Sequence, residues 1–90
     1  MKIIKIGAVW CPSCLVMRPR WQEIEMELPE LETEYFDFDQ DESKIKPYNV
    51  TEGKLPVFIF LDKNGKELTR VQGEPSKQEL LKLIGQYKNK

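Results

Sequence analysis

Val9-Trp10-Cys11-Pro12-Ser13-Cys14 follows a short β-branched run, Lys2-Ile3-Ile4-Lys5-Ile6, and leads into apolar residues at Met17, Trp21, Ile24 and Leu28. Counted from Cys14, those apolar positions step by 3, 4, 3 and 4, which is one face of a helix ending before Pro29. The β-branched run stops at Gly7 and reads as an interior strand that starts almost at the first residue. Pro12 falls in the first helical turn, where a missing N–H costs nothing, whereas Pro19 lies inside the periodic stretch and predicts a kink. Both cysteines of the chain therefore sit where a strand hands over to a helix.

Working outward, Thr33-Glu34-Tyr35-Phe36-Asp37-Phe38-Asp39 places Phe36 and Phe38 on one face and reads as a second strand. Strand, crossover helix and strand within so short a stretch make a βαβ unit with parallel strands and a right-handed connection. Asp41 to Tyr48 carries a short helix limited by Pro47. Val57 to Leu61 is an apolar strand, Asp62-Lys63-Asn64-Gly65 supplies turn residues, and Glu67 to Gln72 returns as the antiparallel partner of a hairpin. Gly73 and Pro75 punctuate the chain, and Ser76-Lys77-Gln78-Glu79 has the form of a capping box leading into Leu80, Ile84 and Tyr87. The order is β-α-β-(short α)-β-β-α, with no linker, repeat or low-complexity tract to divide residues 1–90, so one α/β domain is expected.

Composition narrows the chemistry. A chain of 90 residues buries only about 60–65% of its unfolded surface, and 40% apolar with 32% charged residues is an ordinary globular balance. Lys plus Arg number 14 against 15 Asp plus Glu, so the net charge of −1 offers nothing to attract nucleic acid or an anionic membrane. The longest apolar run, Val57 to Leu61, is far too short to span a bilayer, and no export signal is expected at the N-terminus. With no histidine at all, the commonest general base, the serine-type triads and most transition-metal sites are removed together. Two cysteines are too few for a disulfide scaffold and two ligands short of a zinc site, and no metal is expected. The acidic residues Glu23, Glu25, Glu27 and Glu30 read as the solvent side of the first helix, and the Asp37-to-Glu42 cluster as solvated surface at a strand end, because the spacing of a calcium loop is missing. Lys82, Lys88 and Lys90 suit the end of the last helix.

What remains is sulfur. Cys11 falls at a helix N-terminus, where free N–H groups and the positive end of the dipole stabilise a thiolate, so the first cysteine is the expected nucleophile. Cys14, one turn on, is expected to face the interior, within reach of a mixed disulfide formed on Cys11, and to resolve it. Pro12 stiffens the link between the sulfurs and Ser13 offers hydrogen bonds beside them, so both are expected to tune the reduction potential. Trp10, large and amphipathic, reads either as part of a docking surface for substrate or as a cover for the core.

Val9-Trp10-Cys11-Pro12-Ser13-Cys14, Pro19 five residues later, Leu55-Pro56-Val57 and Gly73 together resemble the thioredoxin family, and the resemblance covers nearly the whole chain. It implies a three-layer α/β/α thioredoxin fold with a four-stranded mixed sheet, in a glutaredoxin-sized form lacking the extra N-terminal strand and helix of full-length thioredoxins. It implies a cis peptide at Pro56 beside the cysteines, with the Leu55 backbone, Trp10, Pro56 and Gly73 docking the substrate. The implied activity is thiol–disulfide exchange with protein disulfides, the Cys11–Cys14 disulfide being the redox group without further cofactor and a separate reductase the electron donor. A monomer in a reducing cytoplasm is expected. Two departures stand out. Where the family carries a buried acid six residues before the first cysteine, this chain has Lys5, which either snorkels its amine out of a partly uncovered sheet or favours thiolate by its charge. Pro12-Ser13 replaces the family's Gly-Pro and is closer to the glutaredoxin Pro-Tyr. A glutathione-dependent reductase, an iron–sulfur or metal-bridging module, and a docking domain with a structural disulfide are the alternatives.

Overall fold

A computed structural model describes residues 1–89; Lys90, the last of the lysines assigned to the final helix end, lies outside them. Strand β1 (Lys2–Gly7) leads into helix α1 (Pro12–Glu27), strand β2 (Glu32–Asp37), the single-turn helix α2 (Glu42–Ile45), strands β3 (Val57–Leu61) and β4 (Glu67–Gln72), and helix α3 (Lys77–Tyr87). The four strands lie in the order β2-β1-β3-β4, with β1 parallel to β2 and antiparallel to β3, and β3 antiparallel to β4. This is the mixed sheet expected, with β1 in its interior.

Alternation along the strands sorts the core into two layers. Ile3, Phe58 and Phe60 face Met17, Trp21 and Ile24 of α1 and Leu80 and Ile84 of α3. Ile4, Ile6, Phe36, Val57, Ile59 and Leu61 face Ile45 of α2 on the other side. Every residue of β3 is buried, which accounts for its unbroken apolar run. Helix α1 continues through Pro19, and Pro12 opens it. The capping box of α3 forms as expected: Ser76 Oγ accepts the Glu79 N–H at 3.1 Å, and the Glu79 carboxylate accepts the Ser76 N–H. Lys88 caps the end of α3, whereas Lys82 lies within the helix, away from its last turn.

One local reading is corrected and two are refined. The second helix stops at Ile45, ahead of Pro47 as expected, and a separate 3₁₀ turn, Lys46–Tyr48, follows with Pro47 in its first turn, where a proline forfeits no hydrogen bond. The second strand stops at Asp37, and Phe38 reaches the core from beyond its end. In the hairpin the positive φ falls on Gly65 alone, and the Asp62 carboxylate organises the loop by accepting the N–H groups of Asn64 and Lys66.

Candidate active site

Strand β1 ends at Gly7, and the Ala8 carbonyl accepts the Cys11 N–H at 3.2 Å, a tight turn that throws Val9 and Trp10 outward and sets Cys11 at the N-cap of α1. There the Cys11 sulfur accepts the backbone N–H of Cys14 at 3.3 Å. A sulfur occupies the capping position that an oxygen usually takes, so it meets an N–H the helix cannot satisfy internally. Both cysteines are free thiols in this structure.

The exposure of the pair differs from the expectation. Cys11 is only 5% exposed, while Cys14 is half-buried and opens onto a cavity of about 370 Å³. Gly7 makes room for Cys14: without a side chain there, Cys14 packs against bare strand backbone, and a Cβ at that position would lie 3.0 Å from its sulfur. Burial, reinforced by a hydrogen bond with Cys11, pushes the Cys14 thiol up to about 12.

Lys5 lies on the same face of β1 as Gly7, as alternation requires, and lines the cavity together with Cys14, Tyr35 and Pro56. Its ammonium group does not run out to open solvent. It pairs with the Glu25 carboxylate of α1, which also accepts the Thr33 hydroxyl at 3.2 Å, and it lies 5.7 Å from the Trp21 ring centre. Glu25 is thereby corrected from a solvated helix residue to the partner of Lys5. Glu23 and Glu27 are likewise engaged, both by Lys77 of α3.

Around Cys11 the rim is held by short polar contacts. The Trp10 indole N–H donates to Asp39 at 2.6 Å, and its ring meets Phe38 edge-on, leaving the residue 47% exposed beside the cysteine. Ser13 donates its hydroxyl to Glu74 at 2.7 Å. The Leu55–Pro56 peptide is cis, as expected, and Gly73, at a φ of +85°, donates its N–H to the Pro56 carbonyl at 3.0 Å. In the acidic cluster at the end of β2, Asp39 and Glu42 are exposed as expected, but Asp37 is corrected: it is buried, and its carboxylate accepts the N–H groups of Asp39 and Gln40, shaping the turn that aims Asp39 at Trp10. Gly7, Tyr35, Glu25, Asp39 and Glu74 were not singled out from the sequence. For Gly7 the available signal was its place two residues beyond Lys5 on one strand face, whereas nothing local marks the others.

Two thiols one helical turn apart, coupled through a backbone N–H and differing in burial, form a dithiol built for exchange, and the class of the protein is a thiol–disulfide oxidoreductase. A family model described as Thioredoxin matches residues 1–87. The chain is 31% identical over 85 residues to a thioredoxin of Chlamydia trachomatis, an alignment that covers 94% of this chain and 80% of that one. Among solved structures it is similar to the thioredoxin of Fasciola hepatica, with a TM-score of 0.84 at 31% identity over 96% of this chain and 79% of that one. It is similar also to thioredoxin 1 of Thermosipho africanus, with a TM-score of 0.82 at 27% identity over 99% and 96% of the two chains. The chain belongs to the thioredoxin family. Among the described residues no helix is long and apolar enough to cross a membrane, and no cluster of three or more Cys, Asp or Glu residues is arranged to hold a metal ion.

Proposed function

We propose that the chain reduces disulfide bonds of other proteins, with Cys11 attacking and Cys14 resolving, and that a separate reductase returns the Cys11–Cys14 disulfide to the dithiol. The observation that carries the assignment of roles is the asymmetry of the pair. Cys11 has its sulfur on a helix N–H, whereas Cys14 holds its proton tightly at about 12. A thiolate at Cys11 attacks one sulfur of the substrate disulfide, forming a mixed disulfide and releasing the other sulfur as a thiolate. Cys14 then gives up its proton and attacks the Cys11 sulfur, releasing the second substrate sulfur; two electrons pass from the dithiol to the substrate.

Substrate is proposed to dock against Trp10, the Leu55 backbone, Pro56 and Gly73. Support comes from contacts around the cysteines: Pro56 lines the Cys14 cavity and accepts the Gly73 N–H, Ser13 donates to Glu74 beside Gly73, and Trp10, next to Cys11, is held by Asp39. With Cys11 recessed to 5% exposure, an extended segment presenting its disulfide edge-on fits this mouth better than a bulky one. Pro12, Ser13 and Lys5 are proposed to tune the potential, Ser13 through Glu74 and Lys5 through an ion pair instead of a lone positive charge. The pair itself is proposed as the redox group, without metal or organic cofactor, in a monomer. A chain whose two cysteines are both committed to exchange suits a reducing compartment such as the cytoplasm.

The test is reduction of a protein disulfide with dithiothreitol as electron source, together with the reduction potential of the pair. Activity that vanishes in Cys11→Ser, and a mixed disulfide that accumulates in Cys14→Ser, are the expected results. A potential near about −270 mV fits a reductant, and one above about −200 mV would reassign the chain as an oxidant. Retained turnover in Cys11→Ser would overturn the assignment.

A further inference from the structure

Resolution by Cys14 poses a problem of its own, because a thiol held near 12 has to part with its proton at neutral pH. The groups that face it come from three elements: Lys5 from β1, Tyr35 and Asp37 from β2, and Cys11, Arg18 and Glu25 from α1. On the cavity wall Phe58 of β3 and Pro56, the residue before that strand, do not titrate. Lys5 and Glu25 neutralise one another, and the Asp37 carboxylate is occupied by two backbone N–H groups and opposes any new negative charge. Tyr35 is different. It pairs in register with Lys5 across the parallel strands and so lies on the same face of the sheet. A Cβ built on Gly7 would lie 3.0 Å from the Cys14 sulfur and 3.3 Å from the Tyr35 hydroxyl, so both atoms crowd one point above bare backbone.

We propose that Tyr35 is a positioning residue for the resolving step, its hydroxyl held on the same open side of Gly7 as the Cys14 sulfur, with no hydrogen bond between them in the resting dithiol, and donating one to that sulfur as its thiolate forms. The proposal rests on the reading of Cys14 as the resolving cysteine. In the step concerned the Cys14 proton passes to solvent and the Cys14 sulfur bonds to Cys11. The bond between Cys11 and the substrate breaks, and the substrate sulfur leaves with the electron pair; Tyr35 ends unchanged. Tyr35 is 47% exposed, and partial burial of its phenol, with the charges of Asp37 and Cys14 adding to it, holds it above its ordinary range, so the hydroxyl keeps the proton it has to donate. In the resting dithiol the Cys14 thiol is engaged with Cys11, and the mixed disulfide removes that partner at the moment Tyr35 is needed.

The test compares wild type, Tyr35→Phe and Cys14→Ser by stopped flow with 5,5′-dithiobis(2-nitrobenzoate), which releases one thionitrobenzoate when Cys11 attacks and a second when Cys14 resolves. In Tyr35→Phe the first release is expected to be unchanged and the second to slow by about tenfold at neutral pH, the size of one hydrogen bond to a charged group. The readout that packing alone would not move is the titration midpoint of Cys14. It is followed by the ¹³Cβ shift of labelled cysteine in Cys11→Ser, where loss of the neighbouring charge lowers the titration range, with and without Tyr35→Phe. A midpoint raised by about one pH unit supports the proposal. An unmoved midpoint overturns it, whatever the kinetics, and so does a second release as fast as wild type. If Cys14→Ser itself still shows both releases, the resolving role of Cys14 fails first, which is a separate result.

Discussion

In the reduced protein Cys14 is expected to stay silent toward an alkylating reagent at neutral pH, for a reason that can be worked through. An ordinary thiol near 9 is ionised to about 1% at pH 7, whereas a thiol at about 12 is ionised to about one part in 10⁵, a difference of about a thousandfold. Because only the thiolate alkylates, the rate at Cys14 should rise tenfold for each pH unit from 7 to beyond 10. An unperturbed thiol would level off near pH 9. The assay is brief exposure to iodoacetamide, followed by peptide mass spectrometry on singly modified chains, so that Cys11 and Cys14 are counted separately. Limited access lowers the whole curve without bending it, so the shape isolates ionisation from exposure. A plateau at Cys14 below pH 10 would refute the reasoning. The same shift has a consequence for folding. A thiol whose pKa is raised by folding leaves stability intact below the unfolded value near 9 and erodes it as pH climbs toward 12. The reduced form should therefore lose stability over that window relative to the oxidised form, which has no Cys14 proton to lose; parallel urea melts at pH 8 and pH 10 would show it.

Gly7→Ala places a Cβ at 3.0 Å from the Cys14 sulfur and 3.3 Å from its Cβ, between an interior strand and the first turn of α1, and should cost about 1–3 kcal/mol by urea denaturation. An unchanged midpoint would mean that the strand and helix are not packed as described. Lys5→Met leaves the Glu25 carboxylate without its partner at a site where Lys5 is only 17% exposed. The expected cost is about 1–2 kcal/mol, between the ranges for exposed and buried pairs, and Glu25→Gln in the same chain should recover part of it in a double-mutant cycle. Additive single effects would show that the two do not interact. Ser76→Ala removes the side-chain half of the α3 capping box and should cost about 1 kcal/mol, measured by thermal unfolding and seen as a drop of several degrees in Tm.

Most of the scaffold was legible because its signals are local. Periodicity marked α1, the Ser76-to-Glu79 box marked the start of α3, and the unbroken run from Val57 to Leu61 marked a strand buried on both faces. Cys11 and Cys14 were legible as chemistry for the same reason, since their spacing and their place after a strand are properties of one short segment. The misreadings share the opposite property. Glu25 looked solvated because the run around it is acidic, but its partner lies 20 residues back on another element. Asp37 looked like surface for the same reason, yet it is consumed by the turn that follows it. Charge in a sequence has a sign and a face; its partner is supplied by how helix, strand and turn pack together.

That distinction bears on how Lys5 is to be understood. A lone lysine behind the cysteines would act as a fixed positive charge and bias the pair toward thiolate and oxidation. The structure instead answers it with Glu25, drawn in from α1 and steadied by Thr33, so the region presents a dipole in place of a net charge. The electrostatic lever on Cys14 then passes to what shares its side of β1: the empty side of Gly7, through which burial raises the thiol, and the hydroxyl of Tyr35, proposed to offset that burial when the proton leaves. Both depend on β1 and β2 running parallel in a register that sets Lys5 opposite Tyr35 and Gly7 opposite Asp37. A slip of one residue would turn Tyr35 to the other face of the sheet and leave the resolving thiol buried without a donor. The chemistry of the second cysteine is thus written on the strands behind it, whereas that of Cys11 is set first by the helix cap, where its sulfur accepts the Cys14 N–H.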